Sequence, residues 1–309
     1  RRRDNITFRN VVFSQNGHGE LRPDGGGVRV EGCRGLGFEI CRRPSLVFDA
    51  CQFNDNVASN GGGIYSEDAD LYILHSQFEG NEADLSGGAV HINNSYPTGL
   101  IIEESTFQNN NALFDDTVFI DPQTNFLEGE RPISWYDGTG GAIFISNPHR
   151  TSVNASQFVS NTACGGGGAI AVKKGVMREA ARPANRRGRF FVSNSHFQDN
   201  QGFCDEQPEA LELQTIARNQ EGGAIYYHSE DDLNVTWIVD NSTFIHNRGR
   251  LGAALCMRAN IFTPTQFVIS ASRFHENISL MSGGVLFSEL TSIVMMSSNV
   301  SNCRAIYGG

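Results

Sequence analysis

No stretch of about 18 consecutive apolar residues occurs in this chain, so the sequence offers no helix able to cross a bilayer. Proline is scarce, at 9 of 309 residues, which argues against a proline-rich linker. Basic residues are in the minority: 24 Lys and Arg against 34 Asp and Glu give a formal net charge of −10, which argues against nucleic acid as a partner for the body of the protein. The 7 cysteines are too few for a disulfide-built miniprotein, and none forms a CxxC metal pair. There is no initiator Met and no signal peptide at the start; opening on Arg1-Arg2-Arg3, the sequence reads as a mature segment or a piece of a longer chain. What is plentiful is glycine, at 34 residues, a sign of many tight turns.

Those turns are periodic. One line reads Ile6-x-Phe8-x-x-Val11-x-Phe13-x-x-Asn16, and the next Leu46-x-Phe48-x-x-Cys51-x-Phe53-x-x-Asn56. The same spacing returns around Phe78, Phe107, Phe158, Phe197, Phe244 and Phe274, and in degraded form around Val300. A glycine block follows each line, as in Gly26-Gly27-Val28, Gly62-Gly63-Ile64, Gly87-Gly88-Ala89-Val90 and Gly140-Gly141-Ala142-Ile143. The shortest full period, Phe53 to Phe78, is 25 residues. A repeat of that length with three short apolar segments predicts one turn of a parallel β-helix rather than a helical hairpin.

Each position has a physical reason. The first two apolar residues of a line are two apart and point inward from one strand. The next step, to Ser or its equivalent, is three residues, so the chain must bend before the second strand turns Ser and Phe to the core. The Asn is expected to take the left-handed corner conformation and to stack as an amide ladder. The glycine pair permits a positive φ and close backbone approach. Ile64, Val90, Ile143, Ile170, Ile225 and Leu255 are expected to stack as one aliphatic column. The expectation is a single all-β domain, 1–309, a right-handed single-stranded parallel β-helix of about nine coils, with insertions at 17–45, 111–139, 173–189 and 201–221.

At these residues the chain resembles the polymorphic outer membrane protein repeat, whose paired signatures are FxxN and GGA[ILV]. The resemblance implies a right-handed β-helix of the pectin-lyase-like type and is met in chlamydial autotransporter adhesins and other large secreted proteins. It speaks to fold more than to function.

Candidate functional residues fall outside the repeat. Sequons sit at Asn5, Asn93, Asn154, Asn234, Asn241, Asn277 and Asn299, the pattern of a secreted protein carrying N-linked glycans. Cys164 and Cys204 occupy matching corners of adjacent coils within disulfide reach, and Cys33 and Cys41 can close the loop between the first two coils. The 173–189 insertion is basic, with Lys173, Lys174, Arg178, Arg182, Arg186, Arg187 and Arg189, and suits an acidic glycan or acidic protein surface as well as it suits a solvated loop. Outward positions after the glycines, among them Tyr65, Phe144, Tyr226 and Phe287, form an aromatic stripe, open to sugars or a partner, or covered by the chain's own loops.

Catalytic readings are less well supplied. Gly17-His18-Gly19, Asp115-Asp116 and Asp231-Asp232 superficially match a polygalacturonase, but their order is wrong and the accompanying elements are missing. The acidic turns Glu67-Asp68-Ala69-Asp70 and Glu230-Asp231-Asp232 lack a calcium-loop pattern, so no cofactor is expected. The expected function is an extracellular or cell-surface structural or adhesive glycoprotein, self-associating along the helix axis into a filament or appendage, with other surface or matrix proteins or glycans as partners. The alternative is a polysaccharide-active enzyme on the same fold.

Overall fold

A computed structural model describes residues 5–17, 23–32, 44–94, 98–113, 138–147, 150–174, 188–204, 221–229, 235–259 and 265–307. Its strands are stacked in parallel, each on its counterpart one coil along. The first face has nine strands, from Asn5–Arg9 to Thr291–Met296, and the second has nine, from Val12–Ser14 to Asn299–Ser301. The third has eight, from Val28–Glu31 to Leu286–Glu289. A fourth, shorter edge links the second face to the third as a four-stranded and a three-stranded sheet joined by single bridges through Gln201. The result is a right-handed parallel β-helix of nine coils.

The predicted columns form in register. Phe13 and Phe53 stack at 4.6 Å, Phe53 and Phe78 at 4.5 Å, and the series runs on to Phe244 and Phe274 at 5.0 Å. These spacings match the rise between hydrogen-bonded strands, so the rings keep contact without distorting the backbone. Ile64, Val90, Ile143, Ile170, Ile225 and Leu255 are fully buried on the third face. Val12, which points outward between Val11 and Phe13, is exposed, as are Val300 and Ile306 of coil 9.

The corners differ from expectation in one respect. The left-handed residue is not the Asn but the one before it: Asp55, Asn109, Ser160, Asp199, His246 and Glu276 have φ between 52° and 55°. A second such corner precedes the Ser position, at Ala50, His75, Glu104, Ala155, Asn194, Asn241 and Ala271. One left-handed residue reverses the alternation of the chain, so the residue after it points inward. The Asn is thereby freed to bury its amide.

That amide is fully used. Asn56 Nδ2 donates to Asn81 Oδ1 one coil on, at 2.9 Å, and to the Phe13 carbonyl one coil back, at 2.9 Å. Its Oδ1 accepts Nδ2 and the backbone N–H of Asn16. The pattern repeats through Asn81, Asn110, Asn161, Asn200 and Asn247 to Asn277, all with no exposed surface. Four bonds per amide remove the cost of burying it. A serine ladder does the same at the other corner, each backbone N–H meeting the next Ser Oγ, from Cys51–Ser76 to Ser272–Ser298.

The glycine block also sits one residue earlier than its reading in the first two coils. Val28 pairs with Ile64 and Ile64 with Val90, so Gly25 and Gly61 align with Gly87, and these three carry positive φ. The following glycine is needed for space: a Cβ on Gly141 would lie 2.1 Å from the Gly168 carbonyl oxygen.

Candidate functional site

Two insertions leave and return on the same corner, in coils 4 and 6 with one coil between them. The first returns at Thr139 and the second at Glu221, and both form a bridge to Gly166 of the coil between them. Two coil steps, about 10 Å, therefore separate the two returns. Cys164 and Cys204 are joined by a disulfide that ties the departing end of the second insertion to coil 5. Residues 114–137 and 205–220 themselves lie outside the described residues, as do Cys33 and Cys41.

The basic insertion is narrower than 173–189. Lys173 and Lys174 belong to the third-face strand Ile170–Lys174 and pair with His228 and Ser229. Arg189 belongs to the first-face strand Gly188–Ser193, beside Arg150. Arg178, Arg182, Arg186 and Arg187 lie outside the described residues.

The aromatic stripe after the glycines is not an open surface. Tyr65, Phe144 and Tyr226 are buried, and Phe287 is half-buried under the Arg258 guanidinium. Phe144, Ala171, Tyr226 and Cys256 form a second small apolar cluster on the outer side of this face. His91 joins the stack between Tyr65 and Phe144, and its burial pushes its pKa down to about 4.

Next to that cluster lies a buried charge. Glu221 is almost fully enclosed, with Oε1 2.9 Å from Arg258 Nη2 and Oε2 accepting the Cys256 thiol at 3.5 Å. Burial raises its pKa to about 7 against the opposing pull of Arg258. Sequence reasoning missed this cluster, because its members are far apart in the chain and follow no motif.

Of the sequon residues, Asn5, Asn241 and Asn299 are exposed, and Asn93 and Asn154 partly so. Asn234 lies outside the described residues. Asn277 is a correction to the candidate list: its amide is the last rung of the asparagine ladder, wholly buried, donating to the Phe244 carbonyl at 2.9 Å. A folded coil leaves it no hydrogen to exchange for a sugar.

Gly17 holds a turn with φ 84°, where a Cβ would strike the Val57 carbonyl. His18, Asp115, Asp116, Asp231 and Asp232 lie outside the described residues. In the acidic turn of coil 2, Asp70 Oδ1 accepts the Gly99 N–H at 2.8 Å, and Asp68 is a buried left-handed corner whose N–H meets the Asn93 carbonyl. These carboxylates face neighbouring coils. Among the described residues, no three His, Cys, Asp or Glu side chains converge as a metal site.

The fold defines the class: a parallel β-helix repeat protein. Within it, residues 50–67 match the family model of the Chlamydia polymorphic membrane protein repeat. That segment contains Phe53, Asn56 and the Gly61–Ile64 block, one copy of the paired signature with Gly63 in the place of its Ala. No curated protein and no solved structure matches the chain.

Proposed function

We propose that this chain is a cell-surface scaffold segment that presents an adhesive site on the insertions of coils 4 to 6. One observation carries the reading: the two long insertions return to either side of Gly166, at Thr139 and Glu221, and the second is clasped by Cys164–Cys204. Their bases are thus held about 10 Å apart by backbone hydrogen bonds and a covalent link. The matched repeat, described as one of membrane proteins, supports a surface location. The arginines of 175–187 supply positive charge on a chain that is otherwise acidic, which selects an acidic glycan or acidic protein surface as ligand. The reading includes N-glycans on the exposed sequons. It also includes self-association along the helix axis.

The test is binding of immobilised sulfated glycosaminoglycan and of cell monolayers by the chain and by variants with 114–137, 175–187 or 205–220 replaced by short Gly-Ser linkers. Loss of binding with unchanged circular dichroism supports the site. Binding that survives all three replacements places adhesion elsewhere and overturns it.

A further inference from the structure

The outward side of the first face carries an apolar line that the repeat does not explain. Register pairs Val47 with Tyr72, Ile101, Ser152, Phe191, Ile238, Val268 and Val294 in turn, one residue per coil over coils 2 to 9. Seven of the eight are apolar. Each lies between two inward residues of its strand, so it points away from the core, and none packs in either apolar cluster. Val294 is 40% exposed and the others are half-buried, unlike the covered third-face stripe. A continuous apolar line about 35 Å long on a solvent side is a docking surface in want of a partner.

The flanking columns say which partner. On one side stand Arg150 and Arg189, in coils 5 and 6, with Asp70 of coil 3 in the same column, its Oδ1 held by the Gly99 N–H. On the other stand Asp49, in coil 2 and paired with Arg9 and His75, Glu103, in coil 4, and Asp240, in coil 7. Arg150, Arg189 and Glu103 are exposed and form no ion pair among the described residues. Asp240 is partly buried and accepts the Ser270 hydroxyl at 2.6 Å. Now place a second copy against this face. With the two rods parallel about a shared two-fold axis, the arginine column of each copy lies over the acidic column of the other. Arg150 then meets Glu103 at one coil of offset, and Arg189 meets Asp240 likewise, about 4.8 Å, within a guanidinium's reach. With the rods antiparallel about the middle of the line, Arg150 faces Arg189 and Glu103 faces Asp240. Like charges then meet on both sides.

We infer that two copies of this chain pair side by side with rods parallel, the Val47–Val294 line forming the seam and Arg150 and Arg189 of each copy meeting Glu103 and Asp240 of the other. The contact is isologous. Three columns across and eight coils along give a footprint of roughly 500 Å² per copy, at the small end for stable association, so the dimer is weak and concentration-dependent.

Sedimentation equilibrium over a micromolar concentration series tests this. The wild-type mass rises from the 33.8 kDa monomer toward twice that value. Phe191→Asp, or Ile101→Lys should the first fail to fold, holds the chain at monomer. Arg150→Glu weakens pairing about tenfold, and Arg150→Glu with Glu103→Arg restores it. A spin label at Val47 reports a short distance to its mate. A chain that is monomeric at every concentration overturns the inference, as does a dimer indifferent to Phe191→Asp and Ile101→Lys. Strengthening by Arg150→Glu, with the two labels far apart, overturns the parallel register in favour of the antiparallel one.

Discussion

Asn161 and Asn200 are 39 residues apart in sequence, yet Nδ2 of the first donates to Oδ1 of the second at 3.0 Å, both wholly buried. The intervening basic insertion does not perturb the rung, because both ends of it are set by strands of neighbouring faces. Replacing Asn161 by Ala removes a side chain that also meets the Phe107 carbonyl at 2.9 Å and the Asn110 amide. Buried donors and acceptors are left without partners, and the expected loss is about 3 kcal/mol or more. Guanidinium unfolding of the variant, read by circular dichroism, measures it. A midpoint equal to wild type would mean that water replaces the amide and the ladder is not a stabilising element.

The Cys164–Cys204 link encloses 40 residues of chain. Loop-closure entropy for that length gives about 4 kcal/mol. Converting both to Ser should lower the unfolding midpoint and expose the second insertion to protease before the rest of the rod. Cys51 and Cys256 are buried free thiols, so thiol labelling of the native chain at these two sites should be slow and should accelerate only with unfolding. Non-reducing peptide mapping that finds Cys164 unpaired removes the clasp.

Glu221 gives the rod a pH dependence of defined sign. Its folded pKa, about 7, lies above the ordinary 4.5, so between those values the folded chain holds a proton that the unfolded chain has lost. The contribution of Glu221 to stability therefore falls by about 3 kcal/mol as pH rises from about 4.5 to about 7 and is level beyond, while buried His91, its pKa lowered to about 4, contributes in the opposite sense below about 6.5. Glu221→Gln flattens that slope. Thermal midpoints of both proteins at pH 5, 6, 7 and 8 provide the check, in about 0.1 M salt to screen the exposed carboxylates. Parallel curves would show that the Arg258 ion pair keeps Glu221 charged throughout.

Glycan occupancy separates the sequons. In chain secreted from a eukaryotic host, Asn5, Asn241 and Asn299 are expected to accept glycans, while Asn277 stays bare because its amide is buried in the ladder. Glycosidase treatment in heavy-oxygen water followed by peptide mass analysis reads each site. A glycan on Asn277 of the folded protein contradicts the ladder at its last rung.

Much of the architecture was legible because a β-helix writes its core as columns. Phe, Asn, Ser and the aliphatic residue after the glycines each recur for one reason, and the register pairs them as read. The left-handed corners were not legible. Asp55, Ser160, His246 and Glu276 share a backbone conformation and no chemistry, because the corner side chain points to solvent and is free to vary. Glycine runs such as Gly61-Gly62-Gly63 hid a one-residue shift that only the pairing of Ile64 with Val90 resolves. The apolar line on the first face did leave a signal, in triplets such as Leu71-Tyr72-Ile73 and Trp237-Ile238-Val239, where alternation predicts a polar middle residue. The Glu221 cluster left none, since it assembles across three coils.

The asparagine ladder has a mechanical consequence. Its bonds, like those of every sheet in the molecule, point along the rod, and each coil is held chiefly by the two beside it. Tension applied along the axis loads these bonds in series, so the structure yields by peeling one coil at a time from an end rather than by a single rupture. The Cys164–Cys204 clasp crosses one of those seams with a covalent bond, setting a fixed stop between coils 5 and 6. A stack built this way lengthens under load in steps, with the residues between the two cysteines withheld from the extension.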